Sequence, residues 1–412
     1  MITSVTGQEP PDGPPSARHG FRDSVRDTVR RARAGDPGML PVVAGVVVIW
    51  TIFQSLNRTF LSSTNLVNLA FDMVSLGVIA LGVVCVLLVG QIDLSVGSVS
   101  GVAAATTGVV MVRHEQSVWL AVLLAAGVGA VIGWVYGQML NRFGVPSFVV
   151  TLGGLLAFLG TQLWLLRGQN AINLPYDSGL VRFAQVWFVP EALAYALTLV
   201  AAGGFLAVGL ARARGRHRAG LPSDSPRWLL VRSLVLTAAL LFAVYYLNRT
   251  RGVPWMFVLF VALVLVLHHV LTRTGFGRSL YAVGGNAEAA RRAGTDVRAV
   301  YTAAFVMCST LAATGGVLAA ARLAAANQST GTSDVNLNAI AAAVIGGTSL
   351  FGGRGSAFAA LLGVLVIQSI SSGLTLLNLD SSYRFIITGC VLLVAVALDS
   401  AARRSRQAHG RG

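Results

Sequence analysis

The stretch "LVNLAFDMVSLGVIALGVVCVLLVGQIDLSVGS", Leu66 to Ser98, decides the fold. Its first part, residues 66–90, is an apolar run of about 25 residues, and a helix needs roughly 20 to cross a hydrocarbon core. Asp93 follows at once with Ser95 and Ser98, and a second apolar segment starts at residue 96. A carboxylate between two such runs is expensive at membrane depth, so it needs a reason.

Working outward, the same kind of run recurs along all 412 residues: 39–56, 66–90, 96–113, 118–140, 147–166, 188–210, 229–247, 254–272, 299–322, 338–351, 355–378 and 383–400. With 55% hydrophobic and 11% charged residues and a mean hydropathy of +0.70, the chain has too little polar surface to wrap a soluble domain of this size. No run alternates with period 2 as membrane-barrel strands do. The expected fold is all-α: a polytopic membrane protein with about 12 apolar segments, 10–12 of them spans, and short or broken helices at Gly-rich motifs. The segment 338–351, "NAIAAAVIGGTSLF", is short and carries Gly346 and Gly347 side by side before Thr348 and Ser349. It reads as re-entrant or broken, which a membrane tolerates only where protein or a wet cavity covers the open backbone.

Charge sets the expected orientation. With the N-terminus inside, 22 arginines fall on the cytoplasmic side and eight outside, while Arg232 lies within a segment. Excess positive charge stays cytoplasmic, so both termini are expected there, in the bacterial inner membrane. Residues 1–38 read as a basic cytoplasmic tail resting on anionic lipid, without the apolar core of a signal peptide. Residues 39–400 read as the permease domain, with basic cytoplasmic loops at 211–228 and 273–298, and residues 401–412 as a second basic tail. The +15 net charge is accounted for by topology, and no aromatic-interleaved basic face points to nucleic acid.

Cys85, Cys308 and Cys390 lie in apolar segments without metal or redox spacing, and the six histidines form no metal-spaced cluster with acids. No metal and no cofactor is expected. All 31 basic residues are arginine. A P-loop needs a lysine for the terminal phosphates, so the chain is expected to be no enzyme, and any ATP-driven work requires another subunit.

The stretch "GFGRSLYAVGGNAEAARRAGTDV", 275–297, reads as a short helix outside the spans. Asn286 caps it, Glu288 sits in its first turn, Arg291 and Arg292 lie near its end, and Gly294 stops it. Two turns are too few to stand alone. Either the helix rests on the chain's own helix ends or it docks a soluble partner.

These motifs carry a family resemblance. "IDLSVGS" (92–98), "VPSFVVTLGGLLAF" (145–158), the 275–297 stretch and "AAAVIGGTSLFGGRGS" (341–356) together resemble the membrane permeases of bacterial ATP-binding-cassette sugar importers of the ribose and xylose type, over residues 60 to 400. Three segments between "VPSF" and "AVGGN", and "NRTRGVPWM" (248–256), are most similar to xylose permeases. The resemblance implies a permease homodimer in the lipid bilayer, two cytoplasmic ATP-binding subunits and an extracytoplasmic sugar-binding protein. It also implies a coupling loop made of Gly284, Gly285, Asn286, Glu288, Ala289, Ala290, Arg291 and Gly294 that meets the ATPase.

Function is then expected to be pentose import by alternating access, with xylose or a related sugar as cargo. The alternative is an ion-coupled secondary transporter, in which Asp93 or Asp72 would be the coupling carboxylate. Asp93, Ser95, Ser98, Gly346, Gly347, Thr348 and Ser349 are candidates for the translocation path or for helix breaks. Asp93 has two readings: a cap for the free amides of the next helix, shared with Ser95 and Ser98, or a sugar contact. "GQIDLSVGS" (90–98) and "GGTSLFGGRGS" (346–356) also echo each other, and two related units would bring both breaks near a shared axis. Asn170, Asn173, Tyr176 and Asp177, and then Asn327, Gln328 and Asn336, are placed in two outer loops.

Overall fold

The computed structural model describes residues 40–219 and 226–380, with scattered positions between 382 and 397. The two tails expected at 1–38 and 401–412 lie outside the described residues, as does part of the last expected span.

The chain is an all-α polytopic membrane protein. Its helices are α1 (Leu40–Leu56), α2 (Ser63–Leu88), α3 (Val96–Gly108), α4 (Val118–Phe143), α5 (Ser147–Leu166), α6 (Gly179–Gln185), α7 (Glu191–Arg218), α8 (Pro226–Asn248), α9 (Trp255–Arg273), α10 (Gly275–Gly285), α11 (Ala287–Arg292), α12 (Val297–Leu323), α13 (Ser333–Ile345) and α14 (Ala357–Leu376). A π-helical turn, Val109–Arg113, extends α3. Among the described residues nine helices are long and apolar enough to cross a bilayer, and two shorter apolar helices, Pro41–Leu56 and Asp334–Ile345, accompany them. Local chemistry fixes the ends. Ser62 accepts the Asn65 amide to start α2, Ser117 accepts the Leu120 amide to start α4, and Gly144, at φ +64°, ends α4.

The described residues between 37 and 191 and from 246 onward make one compact unit. Within it α12 is central, packed against α2, α3 and α4. The α4–α12 contact is built on glycine: Gly129, Gly133 and Gly137, one turn apart, lie against the α12 backbone at Ser309, Phe305 and Thr302. Small residues at such spacing let two membrane helices approach closely, where no hydrophobic drive separates protein from lipid. The α2 helix is 89% buried along its most apolar window and α5 only 28%, so α2 is shielded by protein while α5 presents its outer face to lipid.

Two short strands add detail that hydropathy does not reveal. β1 (Ala171–Asn173) pairs antiparallel with β2 (Ala325–Asn327), and Gln328 donates its amide to the Asn170 carbonyl at 3.1 Å. The two loops expected on the outer side therefore hold each other.

Ala192–Tyr245 is compact as a separate unit, made of most of α7 and α8. Its apolar side chains are largely exposed, with Val200 and Leu234 each 71% accessible, as suits helices solvated by lipid. Arg232, the arginine within an apolar run, has its guanidinium 5.6 Å from the Phe205 ring centre, where the ring face stabilises the cation.

Candidate functional site

The turn between α2 and α3 holds Asp93, 2% exposed. Its Oδ1 accepts both the amide of Ser95, at 2.8 Å, and its hydroxyl, at 2.7 Å. The cap differs from the expected one. Ser95 is the N-cap residue but makes no side-chain cap bond, and Ser98 Oγ donates to the Ser95 carbonyl at 2.9 Å. Asp93 stands two residues ahead of the cap, so its short side chain closes a local turn and does not reach the helix's first amides. The side chain of Asn336, from the first turn of α13, accepts the Gly97 amide instead. Asn336 is 4% exposed, and its expected place in an outer loop is corrected accordingly. It sits inside the helix that begins at Ser333, five residues before the expected start of that segment.

Other elements fix the Asp93 turn from outside. Leu94 donates its amide to Thr151 Oγ1 at 3.1 Å and Ile92 donates to Ser147 Oγ at 3.4 Å, both from the start of α5. The Tyr136 hydroxyl of α4 donates to Ser95 Oγ at 2.8 Å. This explains why "VPSFVVT" begins a span with hydroxyls: Ser147 and Thr151 satisfy backbone amides that the broken helix leaves open. Asp93 Oδ2 has no hydrogen-bond partner among the described residues.

The second break, after α13, is enclosed except at Gly347, which is exposed. Gly346 lies against the Ala359 backbone, Gly347 has φ +104°, and Thr348 and Ser349 are buried. Thr348 donates its amide to Ala343 and Ser349 donates to Arg354, which closes the turn. The two Gly-rich breaks meet: Gly353 donates its amide to the Leu88 carbonyl at 2.9 Å, and Gly90 lies beside Phe351 and Gly352.

The stretch 275–297 forms two helices joined at Asn286. Asn286 Oδ1 accepts the Ala289 amide at 2.9 Å, as its capping role requires. Glu288 pairs with Arg291 and with Arg292, the latter at 3.0 Å. Both arginines are more than two-thirds exposed, and surface pairs of this kind contribute at most about 1 kcal/mol. Gly294, at φ +87°, ends the helix, since that conformation suits glycine. Gly285, Asn286, Glu288, Ala289, Arg291 and Gly294 are exposed, whereas Ala290 is buried against the chain's own core.

Gly284 also turns inward. A Cβ there would collide with the Leu88 carbonyl and stand 2.6 Å from the Gly353 amide. Tyr281, one turn earlier, donates its hydroxyl to the Gly355 carbonyl at 2.8 Å. Burial pushes the Tyr281 phenol up from its ordinary range, which keeps it a neutral donor. The end of α10, the end of α2 and the loop between α13 and α14 thus form one joint.

Asp72, the other carboxylate in an apolar run, pairs with Arg322 at the end of α12, with Nη2 3.1 Å from Oδ1. The Arg322 guanidinium also lies 4.7 Å from the Phe71 ring centre. Cys85 and Cys308 are buried, and Cys390 is exposed.

Residues 65–396 match the family described as branched-chain amino acid transport system / permease component. The chain is 33% identical over 367 residues to the xylose transport system permease protein XylH of Escherichia coli (strain K12), covering 88% of this chain and 92% of that protein. It is 32% identical to the protein of the same name from Haemophilus influenzae, covering 89% and 96%. It is 31% identical to the ribose import permease protein RbsC of Bacillus subtilis (strain 168), covering 86% and 90%. No solved structure matches.

Proposed function

Because this chain belongs to the branched-chain amino acid transport system / permease component family, we propose that it is the membrane-spanning permease subunit of an ATP-driven monosaccharide importer, with a pentose such as xylose as cargo. The observation that carries this reading is the 33% identity to a xylose permease, sustained over 88% of the chain.

The chain has no lysine and so no P-loop lysine, and a separate cytoplasmic subunit hydrolyses ATP. The exposed rim of α11, from Gly285 to Arg291, meets that subunit. Its inward neighbours, Gly284 and Ala290, pass the movement on. A push on α11 reaches α10, and through Gly284 it acts on the end of α2 and on the loop before α14. Such a joint biases a two-state arrangement of spans, which is what coupling requires. An extracytoplasmic sugar-binding protein delivers the cargo, and the permease works as a homodimer.

Residues 39–400 form the permease domain, with the loops 211–228 and 273–298 and both basic tails on the cytoplasmic side. The turns at Asp93, Ser95 and Ser98 and at Gly346 to Ser349 act as fixed helix breaks beside the path. The ion-coupled alternative leaves the capped, outward-facing α11 without a role. Co-purification tests the assembly: the permease should retain the ATP-binding subunit in detergent, and Ala289→Asp, which places a new charge on the exposed rim, should release it. Full retention by that variant would remove α11 from the contact.

A further inference from the structure

A cleft of about 230 Å³ opens between α2, α13 and α14, with Thr388 of the following segment at its edge. Of the residues singled out in the sequence, Asp72 alone lines it. Its walls carry Asp72 and Ser75 from α2, Asp334 and Asn338 from α13, and Gln368 and Ser371 from α14. Between these polar groups lie Leu76, Ile79, Val335 and Ile367.

Several of the polar groups are held in place by the chain. Arg322 pairs with the Asp72 carboxylate, Thr332 Oγ1 donates to Asp334 Oδ1 at 2.6 Å, and Gln368 Nε2 donates to the Asp72 carbonyl at 2.8 Å. Ser75 Oγ donates to Gly315 O at 2.9 Å. The Asn338 amide makes no hydrogen bond with the described residues, although it stands in the wall of the cleft. Its two donors and its acceptor are therefore available to a ligand.

The lining selects the ligand chemistry. A cation site needs a shell of oxygen acceptors, and an anion site needs donors. This cleft mixes carboxylate and amide acceptors with amide and hydroxyl donors, over aliphatic side chains. Vicinal hydroxyls both donate and accept, and the C–H face of a sugar ring is apolar, so a small polyol matches every component. The volume also suits a ligand below drug size.

We propose that this cleft is a monosaccharide subsite on the translocation path, with Asn338 and Gln368 as its polar contacts and Asp72 and Asp334 as hydroxyl acceptors. The proposal rests on the sugar-importer reading and adds the place where the sugar is met. It also gives α2 a double role: its Leu88 end lies in the joint with α10, and its Asp72 to Ile79 stretch lines the cleft. Movement at the joint is then felt directly at the sugar.

The test uses the full complex in proteoliposomes, with D-xylose and D-ribose as probes, and reads sugar imported per ATP hydrolysed. Asn338→Leu is expected to lower this ratio about tenfold or more. A ratio equal to wild type would overturn the subsite, whether or not both rates fall together. The second variant is Asn338→Cys in a chain whose three native cysteines are replaced by serine. A water-soluble maleimide is expected to modify it and to lower the same ratio, and absence of modification would overturn the proposal. If the unsubstituted complex imports neither sugar, the importer reading itself fails, which is a different outcome.

Discussion

Gly97, in the first turn of α3, donates its backbone amide to the side chain of Asn336, in the first turn of α13, 239 positions later. The α13 helix is only 13 residues long, whereas α3 runs on through its π-helical turn to Arg113, 18 residues in all. Their starts are tied to each other across the sequence.

Asn336→Ala leaves the Gly97 amide buried without a partner, and it is expected to destabilise the protein by about 1–3 kcal/mol. Asn338→Ala, two residues on, breaks no hydrogen bond with the described residues and should stay within about 0.5 kcal/mol. Thermal unfolding of both variants in detergent gives the comparison.

Asp93→Asn retains the oxygen that accepts the Ser95 amide and hydroxyl, and import is expected to be largely preserved. Asp93→Ala removes that acceptor from a buried turn and should cost about 1–3 kcal/mol. Loss of transport in Asp93→Asn at normal membrane levels would return the carboxylate's charge to the path.

Gly284→Ala drives a methyl group into the Leu88 carbonyl, whereas Gly285→Ala meets open space. The first is expected to lower assembly and ATP-driven import steeply, the second to leave folding intact. Membrane yield and import measured side by side distinguish a specific joint from a general intolerance of the glycine pair.

Asn286→Ala removes the cap of a six-residue helix at a cost of about 1 kcal/mol, and fraying of α11 should lower import per ATP hydrolysed. Asn286→Asp, which keeps the acceptor, should restore most of it.

The spans were legible because hydropathy is a property of each run alone, and 66–90, 118–140 and 299–322 all lie within observed helices or one to two residues beyond them. The α11 helix was legible because its cap, charge order and stop lie within nine residues, Asn286 to Gly294. Contacts between distant segments were not. Nothing in "SDVNLNAIAAAVI" marks Asn336 as the partner of Gly97 and Asn338 as a cleft residue, because their separate roles depend on which face of α13 meets α3. Ser147, Thr151 and Tyr136 carry no sequence signal for the same reason: each is an ordinary hydroxyl in a span until the Asp93 turn is placed beside it. The two Gly-rich breaks also meet only in the fold, where Gly90 lies against Phe351 and Gly352.

The most direct measurement is sugar uptake into proteoliposomes containing the purified permease with its ATP-binding subunit and sugar-binding protein. Uptake of D-xylose or D-ribose that requires ATP and all three components is the expected result. Uptake by the permease alone, driven by a proton or sodium gradient, would contradict the account.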